Sequence, residues 1–127
     1  MSFYQFLASE EKLEEWDTDV FLRIIPEEDM QCASLYTQKK NCAYLEWKYS
    51  PTRAMQVLEY IRRHLKTAKR IELWNVWEGP KEEASIRKCR MSELKLEDIK
   101  KLWGKEPFKQ PECIIVLRDY WNAAGNE

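Results

Sequence analysis

The stretch that most constrains the fold of this chain begins at Ser50-Pro51. A serine that can accept a hydrogen bond from the first turn, followed by a proline at the first helical position, marks a helix start. The proline ring presets φ, and its missing N–H would have had no intrahelical partner there. From Thr52 to about Thr67, the apolar residues Ala54, Val57, Leu58, Ile61 and Leu65 recur at three- and four-residue steps. Arg53, Gln56, Arg62, Arg63 and Lys66 fall on the opposite side. This period lays one apolar stripe along a helix, and the stripe must be buried against a second apolar surface.

The flanking sequence offers that surface as strands. Phe3–Ala8 is rich in strand formers, and Val20–Ile25 is a second such run, stopped by Pro26. Ser9 with Glu10 and Glu11 predicts a short helix towards Trp16, because a serine cap and acids suit a helix N-terminus. Glu27-Glu28-Asp29 reads as a loop. Cys32–Thr37 and Cys42–Tyr49 read as the arms of a hairpin around Gln38-Lys39-Lys40-Asn41, with Leu45, Trp47 and Tyr49 alternating against Glu46 and Lys48. Arg70–Trp77 is a strand by alternation. Glu78–Lys81 is a turn, and Ala84–Arg90 returns as the partner strand. Ser92 and Glu93 precede a second helix over Leu96–Trp103, ended by Gly104. Pro107 and Pro111 mark a loop, and Cys113–Leu117 is a continuous apolar strand covered on both faces. Asp119–Glu127 reads as a polar tail, with Tyr120 and Trp121 as its anchors.

The implied fold class is α+β, an antiparallel sheet with two main helices on one face. From about residue 44 to 118 the order strand, helix, strand, strand, helix, strand is that of a ferredoxin-like split βαβ core. The N-terminal strands then extend that sheet or cover its other face. With 127 residues, 44% of them hydrophobic and 34% charged, the chain has material for a single core and one domain over 1–127.

Several chemistries lack their residues. Gly79, Gly104 and Gly125 are the only glycines, too widely spaced for a phosphate-cradling loop, which needs clustered glycines to bring backbone N–H groups to the anion. His64 is the only histidine, and Cys32, Cys42, Cys89 and Cys113 form no C-x-x-C pair, so no zinc set of ordinary spacing can be written. The cysteines sit in apolar or alternating runs and read as reduced core thiols. His64, beside Arg62, Arg63 and Lys66 near the helix C-terminus, reads as a cation complementing the helix dipole. No catalytic residue, metal or cofactor is expected. The start of the chain lacks the basic flank and apolar run of a signal peptide, and no stretch reaches about 18 consecutive apolar residues. The expected location is the cytoplasm.

Charge is unevenly placed. Residues 1–31 carry nine acids against Lys12 and Arg23, a net −7, while the remaining nineteen bases and thirteen acids leave the rest at +6. This acidic N-terminal region, with Glu10, Glu11, Glu14, Glu15, Asp17 and Asp19, is the candidate partner-binding surface. The functional expectation is a non-enzymatic protein-binding module, of an immunity or regulatory kind, that meets a basic partner there. The first alternative is RNA binding through the basic helix face of Arg53, Arg62, Arg63 and Lys66, with Trp47, Trp74 and Trp77 as candidate base-stacking rings. The second is a cofactor-independent enzyme with a carboxylate-only site. Homodimerisation through an uncovered sheet face is a separate expectation.

Phe3-Tyr4-Gln5-Phe6-Leu7-Ala8-Ser9, Arg70–Trp77 and Pro111-Glu112-Cys113-Ile114-Ile115 resemble segments of small uncharacterised bacterial cytosolic proteins. The resemblance is one of strands and turns, and it implies no activity.

Overall fold

The computed structural model describes residues 3–104 and 110–119. Seven strands form one mixed sheet: β1 (Phe3–Ser9), β2 (Trp16–Asp17), β3 (Phe21–Ile24), β4 (Asn41–Glu46), β5 (Arg70–Trp77), β6 (Ser85–Arg90) and β7 (Glu112–Leu117), in the order β2-β3-β4-β1-β5-β7-β6. The helices are the single turn α1 (Gln31–Ser34), α2 (Pro51–His64) and α3 (Leu96–Trp103).

The N-terminal segment lies at the centre of the sheet. β1 pairs antiparallel with both β4 and β5, with Phe6 opposite Tyr44 on one side and Trp74 on the other. Phe6, Leu7 and Ala8 are all fully buried, which is possible in consecutive strand residues only when both faces of the sheet are covered. Leu7 faces the helices, in a core shared with Val57 and Ile61 of α2, Ile99 and Leu102 of α3, and Leu73, Ile114 and Val116 of the sheet. Phe6 and Ala8 face the other side, where Ile25, Met30, Ala33 and Tyr36 lie over Trp74, Val76 and Cys113.

α2 begins as its sequence requires. Ser50 is extended, and its Oγ accepts the Arg53 N–H at 3.1 Å. α3 is fixed at its start by Asp98, whose Oδ2 accepts the Lys95 N–H and whose Oδ1 pairs with Arg87 at 2.6 Å. Gly104 ends α3 for a steric reason: its φ is −81°, and a Cβ there would collide with the Lys100 carbonyl oxygen.

Four expectations need correction. Residues 10–15 form no helix; Ser9 is the last residue of β1, and its hydroxyl turns to His64. Cys32–Thr37 is not a hairpin arm, since Cys32 lies in α1 and Thr37 beyond it, so Cys32 and Cys42 do not face each other across a turn; both are free thiols. β6 does not pair with β5, because β7 lies between them and runs parallel to β6. The ferredoxin-like order is therefore not formed. β4 and β5 do flank a third strand, but that strand is β1, and the second crossover, β6-α3-β7, joins adjacent parallel strands. The physical reason is that Phe3–Ser9, apolar on both faces, takes the central place that a four-stranded core would have left to another strand. Both main helices do pack on one face. Pro107 and the tail from Tyr120 lie outside the described residues. No helix among the described residues is long and apolar enough to cross a membrane.

Candidate functional site

The six acids proposed from the sequence do not behave as one group. Glu10 is paired with Lys39 Nζ at 2.7 Å, which lowers its pKa below the ordinary carboxyl range, and Glu14 reaches Arg63 at 3.5 Å. Glu15 Oε2 accepts the Ile24 N–H at 2.9 Å and so ties the 10–15 segment to β3. Glu11, Asp17 and Asp19 are exposed, and among the described residues none of these three has an ion pair. Asp17 and Asp19 bracket the tight turn between β2 and β3, where the Thr18 hydroxyl donates to the Val20 carbonyl.

This turn sits at one edge of the sheet, and three surface recesses run along it. One, of 430 Å³, is lined by Trp16, Asp17, Thr18, Asp19 and Gln56. The next, of 350 Å³, shares Trp16 and Asp17 and adds Glu15, Phe21 and Arg23. The third, of 430 Å³, continues from Glu15 and Arg23 to Tyr4, Tyr44, Asp29 and Glu78. Trp16 is held edge-on to Tyr60 of α2, with ring centroids 4.9 Å apart. Tyr4 and Tyr44 lie 5.1 Å apart, and burial pushes both phenols above their ordinary pKa, with Glu78 adding to the effect. Gln56 Oε1, in the first recess, is buried with no hydrogen-bond partner. The edge thus combines carboxylates, ring faces and an unmet acceptor, a set that suits cationic side chains.

Sequence reasoning found Glu15, Asp17 and Asp19 but missed Trp16, Tyr4, Tyr44, Gln56 and Glu78. Gln56 comes from α2, Tyr44 and Tyr4 from the strands inward of β3, and Glu78 from beyond the end of β5. Only the tertiary fold brings them near the β2–β3 turn, and alternation along any one strand carried no signal of it.

The basic residues are less free. Arg62 pairs with Glu59 at 2.7 Å and Arg63 with Glu14. Arg53 donates to the Lys48 carbonyl, and its Nε is buried without a partner. Lys66 is exposed. Arg53 lies in the first turn of α2 and Arg62 and Arg63 in the last, roughly 14 Å apart at 1.5 Å per residue. Of the tryptophans, Trp74 is buried and stacked on Phe6. Trp47 donates to Gln5 Oε1 and stands edge-on to Trp103 and Tyr49.

His64 is not the exposed cation that its neighbours suggested. Its Nε2 lies 2.7 Å from Ser9 Oγ, and Ser9 is fully buried. Ser9 Oγ also accepts the Glu11 N–H at 3.1 Å, and the direction of its bond to the imidazole is set by the His64 tautomer. Burial lowers the His64 pKa below its ordinary 6.5, against a smaller opposing pull from Glu11. The unfolded chain therefore holds this proton more tightly. The stability that neutral His64 contributes is complete above about pH 6.5 and is lost as pH falls through the lower folded-state value. The urea midpoint should fall on going from about pH 7.5 to about pH 5.5, and a His64→Gln variant should flatten that dependence. An unchanged slope in the variant would remove His64 as its source.

The cysteine thiols are held protonated. Burial first, and Glu72 second, push Cys42 up to about 12 and raise Cys113 further, so neither is a ready nucleophile. Among the described residues no three His, Cys, Asp or Glu side chains converge as a metal-binding set. Comparison with protein-family models, curated proteins and solved structures finds no match to this chain.

Proposed function

We propose that this chain is a non-enzymatic protein-binding module, of an immunity or regulatory kind, that receives a basic partner along the β2–β3 edge. The observation that carries this reading is the pairwise overlap of the three recesses. The first and second share Trp16 and Asp17, the second and third share Glu15 and Arg23, and the series runs from the acidic turn to the Tyr4–Tyr44 pair. Complementary charge at such an edge speeds and selects the encounter, and the half-buried rings supply apolar contact. The setting that fits is the cytoplasm, where free thiols such as these four stay reduced. RNA binding through α2 is the weaker reading, because Arg62 and Arg63 are already engaged by Glu59 and Glu14.

A hexa-arginine peptide is a suitable probe. Titrated at low salt, it should perturb the Trp16 indole and the amides of the β2–β3 turn, and binding should weaken as salt rises. The Asp17→Lys/Asp19→Lys variant should bind about tenfold or more weakly, equivalent to about 1.4 kcal/mol. Equal binding by the variant, or perturbations centred elsewhere, would remove the acidic edge from the function.

A further inference from the structure

The sheet has two edges, and they differ. β2 is two residues long, as protected edges commonly are. β6 is six residues long, pairs only with β7, and among the described residues meets no strand on its outer side. Five of its six residues are exposed. Cys89 points into the core under the helices, so Ser85 and Arg87 share its face, where Arg87 is neutralised by Asp98. Ile86, Lys88 and Arg90 therefore stand in a row on the opposite face. Ile86 is 54% exposed. Neither Lys88 nor Arg90 has an ion pair among the described residues; one Arg90 nitrogen donates to the Arg118 carbonyl.

We propose that β6 is a docking edge that takes an extended acidic segment of a partner protein as an added strand of the sheet. The main-chain groups of an open edge supply the hydrogen bonds and the register of such an addition, and alternate side chains supply its selectivity. Cross-strand neighbours of the β6 row would be an apolar residue at Ile86 and acids at Lys88 and Arg90, each pair adding attraction on one face. Charge also argues against a second copy of this chain as the occupant. Antiparallel self-pairing of β6 would set the Arg87, Lys88 and Arg90 of one copy among those of the other, and like charges directly across a ladder oppose pairing. This surface is separate from the β2–β3 edge and opposite to it in charge, so it stands or falls independently of the function proposed above.

The test uses the full chain and two short peptides in which threonine alternates with one valine and two glutamates, in either order along the peptide. Matched peptides with lysine in place of glutamate serve as controls. The glutamate peptides should slow hydrogen exchange at the amides of 85–90 and shift their resonances, while the lysine peptides should not. Lys88→Glu, a change at an exposed side chain, should weaken the glutamate peptide by about fivefold or more and strengthen the lysine peptide, since attraction is replaced by repulsion in one case and the reverse in the other. Three results would overturn the proposal: no protection of 85–90 at millimolar glutamate peptide, equal binding of both peptide types, or protection of 85–90 in the free protein that grows with its concentration. The last would assign the edge to self-association.

Discussion

Replacing Phe6 with alanine should cost about 3–5 kcal/mol, the usual range for a large aromatic side chain removed from a core. Phe6 is fully buried in the central strand, stacked on Trp74 with centroids 6.0 Å apart and an 8° interplanar angle, and tilted against Tyr4 at 5.5 Å. Its loss opens a cavity between the sheet and the 25–37 cover, and β1 cannot move to fill it. That strand is hydrogen-bonded on both sides, to β4 and to β5. Domains of this size are stable by about 5–15 kcal/mol, so the variant should lose a large share of its stability. A urea titration followed by tryptophan fluorescence reads this directly. Met55→Ala, at a position 60% exposed on α2, is the control and should stay within about 0.5 kcal/mol of the parent. A Phe6→Ala midpoint close to that of the control would mean that the second core is not load-sharing with the helix-side core.

Glu72→Ala should cost about 2–4 kcal/mol, through unmet hydrogen bonds rather than lost volume. Glu72 is 8% exposed, on the face of β5 turned away from the helices. Its Oε1 accepts both the Thr37 hydroxyl, at 2.5 Å, and the Trp74 indole N–H, at 2.9 Å. Thr37 ends the segment that covers this face, so one carboxyl oxygen fastens the cover to the sheet and orients the largest ring beneath it. Alanine leaves two donors in an apolar setting with nothing to accept them. Glutamine keeps an acceptor oxygen at the same reach, and Glu72→Gln should therefore cost less than about half as much. If glutamine proved as costly as alanine, the negative charge and not the acceptor would be the stabilising feature. Either substitution should also ease the deprotonation of Cys42 and Cys113, since the Glu72 charge contributes to their raised pKa values.

The two charged edges bear differently on what could be read in advance. The acids of the β2–β3 edge are contiguous in the sequence, so their segregation was visible as a net −7 over residues 1–31. Their division into paired and unpaired groups was not, because Lys39 and Arg63 reach Glu10 and Glu14 from 29 and 49 residues away. The basic row of β6 was legible only as a strand in the wrong place. Ser85–Arg90 follows β5 after a seven-residue connection that contains Gly79-Pro80, and such a turn signal between two strand-like runs reads as a hairpin. The β7 strand, buried on both faces through Cys113, Ile114 and Val116, gains more from the site beside β5 than the charged β6 would. That displacement leaves β6 as the open edge.

By itself the sequence determined the local elements whose signals are short in range. Ser50-Pro51 starts α2, the apolar repeat through Leu65 sets the face it buries, alternation marks β5, and the consecutive apolar residues of β7 require cover on both sides. These depend on capping, helical period and strand pleat, which act over a few residues. The tertiary structure alone decided that β1 is central, that residues 25–37 roof the second face, that Ser9 serves His64 and not a helix, and that β7 separates β5 from β6. Each of these is a competition between distant segments for the same buried surface, and the segment with the most apolar area on both faces takes the most enclosed place.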